Sequence, residues 1–76
     1  MLRLYVDYNL REIASDGVQS IVTRFDVVNQ HISQKDLVVD ARVVLFDEGT
    51  ECEAILRHGI DHAWVAEIIP RTIRHT

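Results

Sequence analysis

Residues 35–69 read KDLVVDARVVLFDEGTECEAILRHGIDHAWVAEII, and this stretch decides the fold. It contains three segments in which apolar and polar residues alternate, which is the pattern of β-strands with one buried face. These segments are residues 37–46, 51–57 and 62–69. They are separated by DEGT at 47–50 and HGID at 58–61, and short polar runs around a glycine favour tight turns. The stretch therefore predicts three consecutive strands joined by two turns, with Gly49 in a left-handed conformation.

The N-terminal part of the chain shows the same period of two. Its alternating apolar positions are Leu2, Leu4, Val6 and Tyr8. Alternation over this length predicts a half-buried strand within residues 1–8. A second short extended piece is predicted at residues 10–14. The sequence SDG at 15–17 predicts a turn, because Asp and Gly tolerate the backbone angles that turns require.

The period of the apolar residues changes after the turn. Ile21, Val22, Phe25, Val28 and Ile32 recur at the spacing of one helix face. This spacing predicts a short helix over residues 22–32. Several of these residues are β-branched, which lowers helix propensity, so we expect only one or two turns.

These elements predict a single mainly β domain of 76 residues. Locally paired strands with one short helix favour a small antiparallel, partly open barrel of about five strands. The alternative is a flatter antiparallel sheet with the helix packed on one face.

The segments TRFDVVNQHI, VVLFDEGTECEAIL and WVAEI carry a resemblance to a known kind of protein. Across residues 21–73 the chain resembles a type of small bacterial protein of unknown function with an SH3-like barrel. The resemblance implies an SH3-like fold and implies no activity.

Composition and charge narrow the classes of function. The net charge is −4 with a single lysine, whereas nucleic-acid binding depends on Lys and Arg neutralising phosphates. Nucleic acid is therefore not the expected ligand. The chain has one cysteine, Cys52, which favours a reducing compartment. The N-terminus lacks a long apolar run, so we expect a cytoplasmic protein without a signal peptide or membrane span.

Four carboxylates surround the first turn of the central stretch. They are Asp47, Glu48, Glu51 and Glu53. This group is a candidate docking surface for a basic partner, or a weak site for a hard cation that prefers oxygen ligands. The alternative is a solvated turn that keeps the sheet edge soluble.

His58 and His62 flank the second turn and could hold a metal together with Glu51 or Glu53. A structural zinc site normally needs four Cys or His ligands, so two solvent-facing histidines are the expected outcome, with no metal or cofactor. Cys52 alternates with apolar residues and is expected in the core.

Trp64 has two interpretations. It is expected to anchor the core, and the alternative is a groove with Tyr5 or Tyr8 that binds peptides or stacks on bases. A second set of apolar residues is expected on the outer face of the strands, where they could form a homodimer surface. These residues are Val38, Val44, Phe46 and Ile55. The basic C-terminal end, Arg71, Arg74 and His75, could contact an acidic hairpin of a second copy.

No catalytic motif is present, because the chain has only three glycines and one cysteine and lacks a Ser/His/Asp pattern. We therefore expect a non-enzymatic module that binds a protein or peptide partner, with self-association as an option. Its candidate contact residues are Phe46, Asp47, Glu48, Glu51, Glu53, Ile55 and Trp64. The alternatives are a small barrel that binds nucleic acid and a metal-dependent factor that uses His58 and His62.

Overall fold

The computed structural model describes residues 1–23, 29–59 and 63–75, and these form seven β-strands in one sheet. The strands are β1 Arg3–Tyr5, β2 Glu12–Ile13, β3 Gln19–Val22, β4 Arg42–Phe46, β5 Thr50–His58, β6 Trp64–Ile68 and β7 Arg74–His75. The same described ranges contain three 3₁₀ turns, at Tyr8–Leu10, Gln34–Asp36 and Pro70–Thr72. The prediction of a mainly β domain is confirmed.

The sheet is open, with the strand order β1-β4-β5-β6-β3-β2 and with β7 paired to β5. The number of strands in the described residues exceeds the predicted five, because β2 and β7 are separate two-residue strands. The prediction of an antiparallel sheet is wrong for β1, which pairs in parallel with β4. Parallel neighbours need a long crossover, and the chain between β1 and β4 supplies one.

Strands β4, β5 and β6 form the predicted consecutive hairpins. Val43 and Leu45 of β4 lie opposite Ala54 and Cys52 of β5. Leu56 of β5 lies opposite Ala66 of β6. All of these residues are buried, so the period of two in the sequence identified the core face of the central strands.

The core lies on one face of the sheet. Its buried apolar residues are Leu4, Val6, Ile21, Ile32, Leu37, Val43, Leu45, Cys52, Ala54, Leu56, Ala66 and Ile68. Two of them, Ile32 and Leu37, come from the crossover between β3 and β4, so this connection covers part of the core.

The predicted helix is wrong at its start. Ile21 and Val22 belong to β3, where Ile21 lies opposite Ala66 and Val22 opposite Val65 of β6. Strand pairing outweighs the helical spacing here, because β-branched side chains suit an extended backbone. Residues 24–28 of the predicted helix lie outside the described part of the chain. Within that part there are 3₁₀ turns but no α-helix.

The turns at residues 15–17 and 47–50 differ in how they are closed. Gly17 has φ +90°, as the SDG signal predicted. Gly49 does not have a positive φ, and the prediction for it is wrong. The Asp47 carboxylate accepts hydrogen bonds of 2.8 Å from the backbone N–H groups of Gly49 and Thr50, which closes this turn without a left-handed residue.

The predicted strand over residues 37–46 is shorter in the structure. Asp40 has φ +72°, a left-handed conformation that Asp adopts more readily than most residues. Its N–H donates to the Leu56 carbonyl oxygen at 2.8 Å. The chain therefore turns at Asp40, and the regular strand begins only at Arg42.

Candidate functional site

The face of the sheet opposite the core, here called the outer face, carries most of the predicted contact residues. Its residues include Tyr5, Val44, Phe46, Glu51, Glu53, Ile55, Arg57 and Glu67, which alternate along their strands with buried residues. The register places Phe46 opposite Glu51, and Arg42 opposite Ile55. The outer face therefore mixes half-buried apolar residues with charged ones.

The glutamates of the outer face are paired with arginines of the same chain. Arg3 Nη1 lies 2.5 Å from Glu51 Oε1, and Arg74 Nη2 lies 3.5 Å from Glu51 Oε2. Arg42 Nε lies 2.5 Å from Glu53 Oε1. Because Arg74 bonds Glu51 within its own chain, the basic C-terminal end is already engaged with the acidic hairpin that it was expected to seek in a second copy.

The remaining carboxylates of the acidic hairpin also have partners. Asp47 closes the turn, and Glu48 Oε1 accepts a 2.5 Å hydrogen bond from the Tyr5 hydroxyl. This bond and the carboxylate charge raise the pKa of Tyr5 above its usual value. A basic docking partner would have to displace contacts that the chain makes with itself.

Phe46, the aromatic residue of β4 on the outer face, is covered by two of the same side chains. The Arg3 guanidinium lies 5.0 Å above the centre of the Phe46 ring, and Tyr5 meets that ring edge-on at 5.6 Å. Val44 and Ile55 are half-buried. Val38 is 61% exposed and lies before β4, outside the strands that form this face. The four residues expected to form a dimer surface are therefore not one continuous apolar patch.

Trp64 lies on the core side of β6 and is half-buried against the core. Its ring centre is 4.5 Å from that of His58, which lies opposite it on β5. Strands β4 and β5 separate β6 from Tyr5 on β1. The structure does not bring Trp64 and Tyr5 together, so the alternative aromatic groove is not formed with Tyr5. Tyr8 and Trp64 both pack against the core as half-buried residues.

The histidine turn shows no metal site in the part that the structure describes. His58 is exposed and contacts Trp64, whereas His62 lies outside the described residues. Among residues 1–23, 29–59 and 63–75, no group of three or more His, Cys, Asp or Glu side chains could hold a metal ion.

Cys52 and Tyr8 form a small polar contact at the edge of the core. The Tyr8 hydroxyl donates to the Leu45 carbonyl oxygen at 2.8 Å and lies 3.4 Å from Cys52 Sγ. Burial is the main reason that the pKa values of Tyr8 and Cys52 are both raised above their usual values. A buried thiol that holds its proton is a poor nucleophile, and the prediction of Cys52 as a core residue is confirmed.

This pair leads to an expected pH dependence. The unfolded chain releases the Cys52 and Tyr8 protons near their ordinary pKa values of 9.0 and 10.0, whereas the folded chain retains them. The stabilisation is complete below those values and is lost as the pH rises past them. We expect the free energy of unfolding, measured by urea titration, to fall above about pH 9.

The Tyr8 contribution can be isolated in a Tyr5→Phe background, in which Tyr8 is the remaining tyrosine. Adding Tyr8→Phe should make the decline in the free energy of unfolding between about pH 9 and 11 shallower. An unchanged slope would show that Tyr8 titrates normally in the folded protein.

Two further features were not predicted from the sequence. An open cavity of about 300 Å³ lies beside the SDG turn, between Val18 on one side and Ile55 and Glu67 on the other. The outer edge of β2 also has no partner among the described residues, since β2 is the last strand on the path of the sheet. The apolar residues around the SDG turn were the part of the sequence from which the cavity and the β2 edge could have been predicted.

No protein-family model matches this chain, and no curated protein or solved structure is similar enough to give a match. Within the described residues, no helix has the length and apolar character to cross a membrane.

Proposed function

We propose that this protein is a non-enzymatic interaction module that binds an extended peptide segment of a protein partner along the free edge of β2. One observation carries this proposal. The outer edge of β2 is unpaired among the described residues and is surrounded by exposed apolar side chains. Strand addition at a free edge is a recurring mode of peptide recognition, in which backbone hydrogen bonds supply affinity and side-chain contacts supply specificity.

The backbone of Ile13 is oriented for such pairing. Ile13 lies opposite Gln19, and Ala14 N donates to the Val18 carbonyl oxygen at 2.8 Å. In an antiparallel ladder this pattern makes Ile13 a non-hydrogen-bonded residue, whose own N–H and C=O point away from β3. Ile13 therefore presents one donor and one acceptor at the free edge.

Apolar side chains lie along the same edge. The exposed fractions are 56% for Leu10, 62% for Ile13, 40% for Val18 and 54% for Val22. These residues lie in the first 3₁₀ turn, in β2, and in or beside β3. Ile13 lies on the face of Gln19 and Ile21, whereas Val22 lies on the opposite face. A peptide strand added at this edge could contact apolar side chains on both faces.

The opposite edge of the sheet is closed by the chain itself. Asn29 Oδ1 accepts a 2.8 Å hydrogen bond from Tyr5 N, and Asn29 Nδ2 donates to the Tyr5 carbonyl oxygen at 2.9 Å. Asn29 thus occupies the positions on β1 that a peptide strand would use. Of the two ends of the path β1-β4-β5-β6-β3-β2, β2 is the one whose edge has no partner in the described part of the chain. The short strand β7 lies off this path.

The test is a selection of binding peptides from a random displayed library on the full chain, followed by affinity measurement by calorimetry. Ile13→Pro removes the outward N–H, whereas Ile13→Thr keeps it on a β-branched residue. We expect Ile13→Pro to weaken binding at least about tenfold and Ile13→Thr to weaken it less. Equal affinities for both variants and the parent chain, or no selected peptide at all, would contradict the proposal.

We also propose three finer features of this module. An SH3-like barrel is supported by the pairings of β5. One edge of β5 pairs with β4, and the other edge pairs with β6 near one end and with β7 near the other end. A strand shared in this way allows the sheet to bend towards a closed barrel. A cytoplasmic location is supported by the single buried thiol of Cys52. A second copy is an alternative occupant of the β2 edge, and sedimentation of the chain over a range of concentrations measures it.

Nucleic acid is not proposed as the ligand. Arg3, Arg42, Arg57 and Arg74 are all within ion-pair distance of carboxylates of the same chain. Together with the net charge of −4, these contacts leave little cationic surface for phosphates on the outer face.

A further inference from the structure

The cavity of about 300 Å³ beside the SDG turn is lined by acidic and apolar residues. Asp16 and Glu67 contribute the two carboxylates that line it. Its apolar walls come from Val18, Ile55, Ile69 and Pro70. None of the described residues that line the cavity is lysine, arginine or histidine.

We infer that this cavity binds the side chain of a lysine or arginine from a partner peptide. The inference rests on the proposed function in taking that side chain to belong to a bound peptide. Lysine and arginine have long aliphatic stems that pack on apolar surfaces while the charged head contacts polar groups. Apolar walls next to two carboxylates match this division within a single side chain.

Each of the two carboxylates has one oxygen that can still accept a hydrogen bond. Asp16 Oδ1 accepts a 3.0 Å hydrogen bond from Val18 N, and Glu67 Oε2 lies 3.4 Å from Arg57 Nε. Among the described residues, Asp16 Oδ2 and Glu67 Oε1 have no hydrogen-bond or ion-pair partner. An ammonium or guanidinium group could therefore bind there without displacing either contact.

The two carboxylates of the lining accept hydrogen bonds and donate none. Lysine and arginine head groups are purely donors, with three and five N–H groups respectively. A cationic side chain therefore supplies the donors that Asp16 and Glu67 can accept.

The test uses short peptides that cannot form a strand along β2. Acetyl-Gly-Arg-Gly-amide and acetyl-Gly-Lys-Gly-amide are titrated into the ¹⁵N-labelled full chain, with acetyl-Gly-Gln-Gly-amide as the neutral control. We expect the cationic tripeptides to shift the amide signals of Gly17, Val18 and Ile69, with dissociation constants of about 1–10 mM. The glutamine tripeptide should leave these signals in place.

Asp16→Asn and Glu67→Gln remove each charge while retaining a side-chain oxygen. We expect each substitution to weaken binding of the arginine tripeptide by about fivefold. Glu48→Gln, at the opposite end of the sheet, is the matched control and should leave the affinity unchanged.

Equal shifts with the glutamine tripeptide, or no shifts with any tripeptide, would overturn the inference. Equal affinities of parent, Asp16→Asn and Glu67→Gln chains would overturn it as well. The proposal of peptide binding at the β2 edge is tested separately, by comparing the affinities of Ile13→Pro and parent chains for the longer selected peptides. If that proposal failed, the amide shifts caused by the tripeptides would be unaffected.

Discussion

Replacing Leu56 with alanine is expected to lower the free energy of unfolding by about 3–5 kcal/mol. Leu56 is 0% exposed and lies in β5, the strand that joins β4 to β6. Its N–H donates to the Ala41 carbonyl oxygen, and its own carbonyl accepts from Asp40. These bonds hold one side of β5, and pairing with β6 holds the other, which limits how far the structure can collapse into the cavity that alanine would leave.

The size of the domain makes this loss severe. A chain of 76 residues has a total stability of about 4–11 kcal/mol at the usual values per residue. Urea unfolding followed by far-ultraviolet circular dichroism measures the change. Leu10→Ala is the matched control, because Leu10 is 56% exposed and should change the stability by less than about 0.5 kcal/mol. A loss below about 1 kcal/mol for Leu56→Ala would show that Leu56 is not part of a closely packed core.

Replacing Asn29 with alanine is expected to cost about 2–4 kcal/mol. Asn29 is 0% exposed, and its side-chain amide bonds both the N–H and the carbonyl of Tyr5. Alanine would leave these two backbone groups without their partners at the edge of β1. Since hydrogen bonds lost in a buried setting are not fully replaced by water, the penalty exceeds that of a surface contact.

Two measurements separate this role from general destabilisation. Asn9→Ala is the control for urea unfolding, because Asn9 is exposed and should change the stability by less than about 0.5 kcal/mol. Hydrogen exchange of the Tyr5 amide should accelerate in the Asn29→Ala chain more than exchange in β5 does. If the Tyr5 amide stayed as protected as in the parent chain, Asn29 would not be what closes the β1 edge.

The central strands were predictable because their signal is local. Cys52, Ala54 and Leu56 alternate with polar or partly exposed neighbours, and a strand turns successive side chains to opposite faces. The structure buries all three, as expected. The SDG turn at residues 15–17 was predictable for a similar reason, since the positive φ of Gly17 is a property of that residue and its neighbours.

The segment after Gly17 was not predictable in the same way. Ile21 and Val22 fit the apolar spacing of a helix as well as the composition of a strand. The pairing of Ile21 with Ala66 decided between the two, and that pairing joins residues far apart in the sequence. Local periodicity does not contain this information.

The candidate contact surface depended even more on distant partners. The sequence showed a row of carboxylates around residues 47–53 but not that Arg3 would bond Glu51 or that Tyr5 would bond Glu48. These contacts follow from the parallel pairing of β1 with β4, which brings the N-terminus beside the acidic hairpin.

By itself, therefore, the sequence determined which residues of the central strands face the core and that the chain turns at residues 15–17 and 47–50, because both depend on neighbouring residues. The turn at Asp40 was not predicted. Tertiary structure alone decided which surfaces remain open. Strand order left the edge of β2 free while Asn29 closed β1, and arginines from other strands engaged the acidic hairpin. Residues 35–69 thus supply most of the core, and the open β2 edge and the adjoining cavity arise from how the first 23 residues pack beside them.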